Sequence, residues 1–152
     1  MIASLRVLGS LLAREHEIAD IIVDLGITSS LLIALSHPNF KIRKEAAWVT
    51  SNISAGTVKH INVLISCGTI EKIIELSTMD VFEVRQECMW ALSNAVNWAK
   101  DNKVIEKLLE IGIIETFCSM LGCNEPQTLI IIMEGLKELL RYGKEHSVYL
   151  MS

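Results

Sequence analysis

The chain has 152 residues, a formal net charge of −4 and apolar side chains at 51% of its positions. That length and apolar content suffice for one domain with a sizeable core, and the negative charge argues against a nucleic-acid-binding protein, which needs a basic surface to meet phosphate. No uninterrupted apolar run of 18 residues occurs, so no membrane span is expected, and the first residues lack the pattern of a signal peptide. The four cysteines form no Cys-x-x-Cys pair, which indicates reduced thiols in a cytosolic or nuclear protein.

The chain contains an internal repeat. Residues 42–54 and 84–96 share Arg, Glu, Trp, Ser and Asn in register, and Trp48 and Trp90 are separated by 42 residues (90 − 48). A second marker is a glycine before an apolar helical run, at Gly26, Gly68 and Gly112, with offsets of 42 and 44 residues (68 − 26 and 112 − 68). Two independent markers with nearly one period indicate a solenoid.

Each unit is predicted to contain three helices. Residues 1–13 form a lone third helix. In the middle unit a first helix covers 58–66 and ends at Gly68, a second runs from Ile70 to about 78–80, and a third covers about 81–97. Asp80 is the expected N-cap of the third helix, with Glu83 closing a capping box. The same division fits residues 16–56 and 101–142.

A period near 42 with three helices per unit is typical of armadillo repeats. We therefore predict an all-α fold, a right-handed armadillo-repeat α-solenoid of about three and a half repeats of three helices. The predicted units are a partial repeat 1–13, repeats at about 14–56, 57–98 and 99–143, and a C-terminal tail 144–152.

The two ends of this solenoid are expected to differ. The N-terminal helix carries an apolar stripe that no preceding repeat covers, so self-association through this helix is possible; the stripe consists of Ile2, Leu5, Leu8 and Leu12. At the other end, a polar finish is expected from Arg141, Lys144, Glu145 and His146.

One face of the third helices carries the candidate binding residues. Glu45, Trp48 and Asn52 are spaced i, i+3, i+7 and form a stripe, which Glu87, Trp90 and Asn94 repeat. An Asn amide can pair with the backbone C=O and N–H of a peptide, and indole faces take the stems of Lys or Arg by cation–π attraction. A single Trp at helical spacing is usually a core residue, but packing alone does not require a repeated Asn. The stripe therefore predicts a groove for an extended basic peptide, with the glutamates meeting its cations.

The segment Glu-Ala-Ala-Trp-Val-Thr-Ser-Asn-Ile-Ser-Ala-Gly at 45–56, together with the second Trp-x-x-x-Asn, resembles the armadillo array of importin-α, and in particular the C-terminal half with its minor signal-binding site. The resemblance implies roles for eight residues: Trp48 and Trp90 as slot walls, Asn52 and Asn94 as backbone clamps, Glu45, Glu87 and Ser51 as side-chain partners, and Arg6 at the Trp position one repeat earlier, where the family also carries arginine. In the last repeat Glu134 and Glu138 replace Trp and Asn.

The resemblance also implies the function. It is that of a nuclear import adaptor that binds Lys/Arg-rich nuclear localisation signals, works with importin-β and a recycling exportin, and resides in the cytoplasm and nucleus. The alternative is an armadillo scaffold that binds other extended peptides without a transport role. An enzyme is not expected, because the sequence offers no Ser/His/Asp or Cys/His arrangement, phosphate loop or metal cluster. No cofactor, nucleic acid or membrane partner is expected.

Two further expectations concern single residues. Trp98 is expected just beyond the end of its helix. The four histidines (His16, His37, His60 and His146) are expected at the surface.

Overall fold

The computed structural model describes the backbone of residues 1–150 and the side chains of residues 1–15 and 17–147. Within this part of the chain the regular structure is entirely helical. Ten helices follow one another: α1 Ile2–Arg14, α2 His16–Asp24, α3 Ile27–Leu35, α4 Phe40–Ser54, α5 Val58–Ser66, α6 Thr69–Met79, α7 Phe82–Trp98, α8 Asn102–Glu110, α9 Ile113–Cys118 and α10 Pro126–Leu150.

The helices are arranged in groups of three, preceded by the single helix α1. The third helices pack side by side, α1 on α4, α4 on α7 and α7 on α10, and the first and second helices form parallel rows beside them. This is an α-solenoid of about three repeats, and the predicted fold class is confirmed. The repeat boundaries stay predictions.

A glycine separates the first and second helix of every repeat. Gly26, Gly68 and Gly112 have φ values of 79°, 81° and 88°, and no other described residue has a positive φ. Other residues meet a steric penalty in this left-handed region, which explains why the glycine recurs at one place in each repeat.

The core runs through the whole array because each central third helix buries two flanks. α4 and α7 bury side chains at the same eight positions, 42 residues apart. On α4 these are Ile42, Ala46, Ala47, Val49, Thr50, Ser51, Ile53 and Ser54, and on α7 they are Val84, Cys88, Met89, Ala91, Leu92, Ser93, Ala95 and Val96.

The start of α7 differs from the prediction. Val81 is the N-cap residue, and neither Asp80 nor Glu83 forms the predicted capping box. The Asp80 carboxylate instead accepts hydrogen bonds from Arg43 Nε (2.6 Å) and Arg43 Nη2 (2.7 Å). A buried carboxylate at this position gains more from a bidentate arginine of the preceding repeat than from the helix amides.

Three other helix ends also differ from expectation. Trp98 is the last residue of α7 rather than a residue beyond it, and Lys100 Nζ lies 5.9 Å from its ring centroid. α10 continues to Leu150, so residues 144–150 of the predicted tail are helical. His60 is buried rather than exposed, and its polar atoms are satisfied there: Nε2 lies 2.7 Å from Asp20 Oδ1, and the ring completes a capping box with Thr57 at the start of α5.

The predicted exposed stripe of α1 is wrong. Leu5 and Leu12 are buried, and Ile2 and Leu8 pack partly against the core, because this is the flank that α1 turns toward α4 and α2. The large apolar side chains exposed at this end are Val7 and Leu11 of α1 and Met1 just before it. Self-association through this helix stays a prediction and would use that second set.

The expected polar finish at the C-terminal end is present but incomplete, because Arg141, Lys144 and Glu145 are exposed and yet leave apolar side chains of α10 uncovered. Met133 and Leu140 of α10 are 57% and 73% exposed and lie on its outer flank.

No single helix among the described residues is long and apolar enough to cross a membrane. One pair, Glu17–Asp24 with Ile27–Leu35, meets the length and composition criteria only when its two helices, bent by 81°, are taken together.

The Arg43–Asp80 pair generates a stability prediction. The Asp80 side chain is only 4% exposed, and Arg43 also donates to the carbonyl oxygens of His37 and Pro38 at 2.8 Å. Burial acts to raise the pKa of Asp80, but hydrogen bonds from Arg43 and from the Val81 amide, together with the Arg43 charge, outweigh it and hold the pKa below the ordinary value.

We expect Asp80→Ala to lower the free energy of unfolding by about 2–4 kcal/mol at pH 7, since it leaves Arg43 without its partner. A depressed carboxyl pKa stabilises the fold above the unfolded value of about 3.9, and this contribution is lost as pH falls through the folded pKa. The difference between parent and variant should therefore shrink at acidic pH. Urea titrations at pH 7 and pH 3 measure it, and Asp24→Ala, which breaks the exposed Lys59–Asp24 pair, is the matched control. A difference that does not depend on pH would contradict the assignment.

Candidate peptide-binding groove

The predicted site residues lie on three neighbouring third helices. Arg6 is on α1, Glu45, Trp48 and Asn52 are on α4, and the corresponding Glu87, Trp90 and Asn94 are on α7. The residues on α4 and α7 are half-buried, and Arg6 is exposed. The structure brings Arg6, Glu45, Trp48 and Glu87 together around an open cavity of about 310 Å³.

The two asparagines make the same contact one repeat apart. Asn52 Nδ2 donates to the Gly9 carbonyl oxygen at 3.0 Å, and Asn94 Nδ2 donates to the Ser51 carbonyl oxygen at 3.0 Å. Each amide retains a second N–H and its carbonyl oxygen for another partner. The bond to the preceding helix therefore orients the amide before any peptide arrives.

Trp48 packs directly on α1. A Cβ atom at Gly9 would lie 2.3 Å from the Trp48 ring, so the ring rests on the glycine backbone. This contact could not be predicted from the sequence, since nothing in the pattern of α1 alone explains a glycine in the middle of a helix. The glycine permits the close approach and fixes the indole at the wall of the cavity.

The two glutamates of the stripe are in different electrostatic states. Glu45 Oε1 accepts a hydrogen bond from Arg6 Nε at 2.8 Å, and the Glu45 side chain is only 14% exposed. Among the described residues, no cation lies within ion-pair distance of Glu87. Burial raises the pKa of Glu87, the Lys44 charge lowers it and the Glu45 charge raises it, with a net increase.

Glu87 is therefore the carboxylate of the cavity that gains most from an incoming cation. Glu45 is already paired with a cation of the chain itself, Arg6.

Ser51 does not face the groove. It is buried, and its hydroxyl donates to the Trp48 carbonyl oxygen at 2.7 Å. Its carbonyl oxygen holds Asn94, so the residue links two repeats instead of contacting a peptide with its side chain.

Two residues outside the predicted set line the cavity, Ser10 and Lys44. Lys44 could have been found from spacing, because 44, 48 and 52 follow one another at i, i+4 and i+8 on one face of α4. In α7 the position of Lys44 is occupied by Gln86, which donates to Glu125 and Thr128 of the next repeat. The positive charge of this cavity therefore comes from α1 and α4.

The stripe of Glu, Trp and Asn does not continue on α10. Glu134 is exposed, and Glu138 is paired with Arg141 within the same helix. No Trp or Asn continues the stripe there.

Comparisons with known proteins identify the repeat and its relatives. A family model for the armadillo/beta-catenin-like repeat matches residues 16–55. Importin subunit alpha-2 of Oryza sativa subsp. japonica is 31% identical over 155 residues, which include 93% of this chain and 29% of that protein. Importin subunit alpha-5 of Arabidopsis thaliana is 29% identical over 103 residues, with 68% of this chain and 20% of that protein. The chain thus spans less than a third of the length of these relatives.

Solved structures share the fold. A designed armadillo repeat protein in complex with the peptide (KR)4 superposes with a TM-score of 0.80 at 23% identity, over 93% of this chain and 63% of that one. Another designed armadillo repeat protein gives a TM-score of 0.83 at 22% identity, over 91% of this chain and 57% of that one. The resemblance to importin-α is confirmed over most of the chain, which belongs to the armadillo-repeat proteins.

Proposed function

We propose that this chain binds an extended Lys/Arg-rich peptide, of the nuclear localisation signal type, along its third helices, and that it serves as part of a nuclear import adaptor. The observation that carries the proposal is the repeated asparagine contact. Asn52 and Asn94 are oriented by equivalent inter-repeat hydrogen bonds on the same stripe as Trp48 and Trp90.

The spacing of the helices suits an extended peptide. Neighbouring helices pack about 8–10 Å apart, and an extended chain advances about 3.3 Å per residue. Successive asparagines would therefore meet about every third peptide residue. Because each amide still offers one N–H and one carbonyl oxygen, it can pair with the peptide backbone without regard to the peptide side chains.

The side chains of the peptide would be selected by the tryptophans and Glu87. The indoles take the aliphatic stem of a Lys or Arg, with cation–π attraction of about 0.5–2 kcal/mol per contact. Glu87, half-buried and without an ion-pair partner in the described part of the chain, would accept the charged end.

The comparisons support this reading. The relatives are named as importin alpha subunits, and a designed protein with the same fold was solved with a peptide of alternating Lys and Arg. The transport role, partnership with importin-β and a recycling exportin, and residence in cytoplasm and nucleus are parts of the proposal. So is a binding role without catalysis.

A second candidate function is that of a scaffold for other extended peptides. The observation that favours it is the positive charge in the cavity, where Arg6 is 66% exposed and Lys44 stands beside it. A peptide with carboxylates at this end of the groove would meet those cations. Titration with a basic and an acidic peptide of equal length separates the two functions.

The tryptophan slots can be tested by mutation. We expect Trp48→Ala/Trp90→Ala to weaken binding of a Lys/Arg-rich peptide by about 1–3 kcal/mol, or roughly 5- to 150-fold. Fluorescence anisotropy with a labelled peptide measures the change. Phe82→Ala is the matched control, since Phe82 is a 39% exposed aromatic residue at the start of α7, and its position five residues before Glu87 places it off the stripe. Circular dichroism and thermal unfolding establish that each variant is folded. Equal affinity of the double variant and the parent would contradict the groove assignment.

The different states of the glutamates give another prediction. Glu87→Gln should reduce the affinity for a basic peptide more than Glu45→Gln, because Arg6 already neutralises Glu45. The raised pKa of Glu87 means that its charge is lost at a higher pH than that of an ordinary glutamate, about 4.3, as the solution is acidified. Affinity of the parent should therefore fall on mild acidification, and Glu87→Gln should remove most of this dependence.

Affinity of the parent should also fall with added salt, since the Debye length is about 8 Å at physiological ionic strength and shorter above it. Anisotropy titrations over pH and ionic strength measure both effects. Equal losses in the two glutamine variants, or no effect of salt, would show that the carboxylates do not bind the peptide.

A further inference from the structure

An apolar groove lies at the C-terminal end of the solenoid, on the flank of α10 that faces away from α7. Its cavity of about 730 Å³ has a floor of Met133, Leu136 and Leu140 from α10 and a wall of Leu109 and Ile114 from α8 and α9. An exposed apolar surface of this kind is typical of an interaction site.

The groove has the form of a seam, by which we mean the surface of a third helix on which the third helix of the following repeat packs. An offset of 44 residues, the same as from Gly68 to Gly112, aligns Met133, Leu136 and Leu140 with the side chains Met89, Leu92 and Val96 of α7. Those α7 side chains are 0–1% exposed, and the same flank of α7 donates the Ser93 hydroxyl to the Ile131 carbonyl oxygen of α10. A surface that receives a helix in one repeat is thus repeated in the next with its apolar floor exposed, so its geometry suits a helix.

At one position this seam carries a cation where the two preceding repeats carry a serine. Lys137 stands where α4 and α7 carry Ser51 and Ser93, and Lys144 lies two turns further along α10. Among the described residues, Lys137, Lys144 and His146 line the groove and no carboxylate does, although the whole chain carries a net charge of −4. A long cation in place of a small serine favours a helix whose own carboxylates lie beside its apolar stripe.

The wall of the groove is held in place by polar contacts. Tyr142 Oη donates to Glu106 Oε1 at 3.0 Å, and Asn102 Nδ2 lies 2.9 Å from His146 Nε2, which joins α10 to α8. A preformed groove loses little conformational freedom when a ligand binds. From Met133 to Ser147 its α10 side extends about 21 Å at 1.5 Å per residue, which matches a helix of about 14 residues.

We propose that this groove binds an amphipathic helix of a partner protein, with Leu- or Ile-like residues at i, i+3/i+4 and i+7 spacing and Asp or Glu beside that stripe. The apolar stripe covers Met133, Leu136 and Leu140, and the carboxylates pair with Lys137 and Lys144. This site is separate from the groove of the third helices and does not depend on the function proposed for it.

The probe is a synthetic 15-residue helical peptide with a leucine stripe flanked by glutamates, and its matched control has every glutamate replaced by lysine. We expect the glutamate peptide to bind the whole chain at least about tenfold more tightly than the lysine peptide in fluorescence anisotropy. Leu140→Asn should weaken binding of the glutamate peptide by about tenfold or more. Leu25→Asn, which changes an 80% exposed leucine after α2, should leave it unchanged.

The charge reversal Lys137→Glu/Lys144→Glu should invert the preference between the two peptides. Since Leu140 and both lysines are exposed, these variants should keep the circular dichroism spectrum of the parent, and Leu140→Ala is the milder replacement if Leu140→Asn does not. Equal binding of the two peptides, binding that Leu140→Asn leaves intact, or no binding would overturn the proposal. So would a dimer in sedimentation that Leu140→Asn converts to monomer, because the occupant would then be a second copy of the chain.

Discussion

The packing of one third helix on the next determines most of this molecule. α4 and α7 each have two flanks to bury, one against the preceding third helix and one against the following one, and they use the same eight positions to do so. Small side chains such as Ala46, Ala47 and Ser51 allow the close approach, and Gly9 allows the indole of Trp48 to rest on the α1 backbone. Once both flanks are buried, a single stripe of each helix stays open, and it carries Trp, Asn and Glu.

The same packing distributes the polar and charged groups of the candidate groove unevenly. The asparagines are oriented by the neighbouring helix, so their bonding capacity toward a peptide is set by the fold itself. The carboxylates are not equivalent, because Arg6 holds Glu45 while Glu87 stands in a partly desolvated position without an ion-pair partner among the described residues. A basic peptide would therefore gain more at the α4–α7 step than at the α1–α4 step, where Arg6 and Lys44 add positive charge.

The sequence was sufficient for features that recur in register. The period of 42, the three helices of a repeat and the glycine between the first two could be read from the chain, since each has a repeated local signal. Features made by contacts between repeats could not. Asp80 pairs with an arginine 37 positions earlier, and nothing local distinguishes that from a helix cap.

The exposed surfaces at the two ends of the chain differ from their predictions for the same reason. The sequence pattern predicts an uncovered flank of α1 formed by Ile2, Leu5, Leu8 and Leu12, whereas the exposed flank carries Val7 and Leu11. At the other end the polar residues Arg141 and Glu145 pair with each other and leave Met133 and Leu140 exposed. The heptad-like spacing of apolar residues identifies a buried flank, but it does not indicate which neighbour covers it.

The central claim is that Asn52 and Asn94, oriented by the helix before them, pair with the backbone of a peptide in the groove. The side-chain amide resonances of the asparagines in a nitrogen-15 NMR titration with a Lys/Arg-rich peptide test it most directly. Both amides should shift together and saturate, while Asn97, whose amide is bonded to Ser93 of its own helix, should stay in place. Unchanged resonances of Asn52 and Asn94 at peptide saturation would contradict the claim.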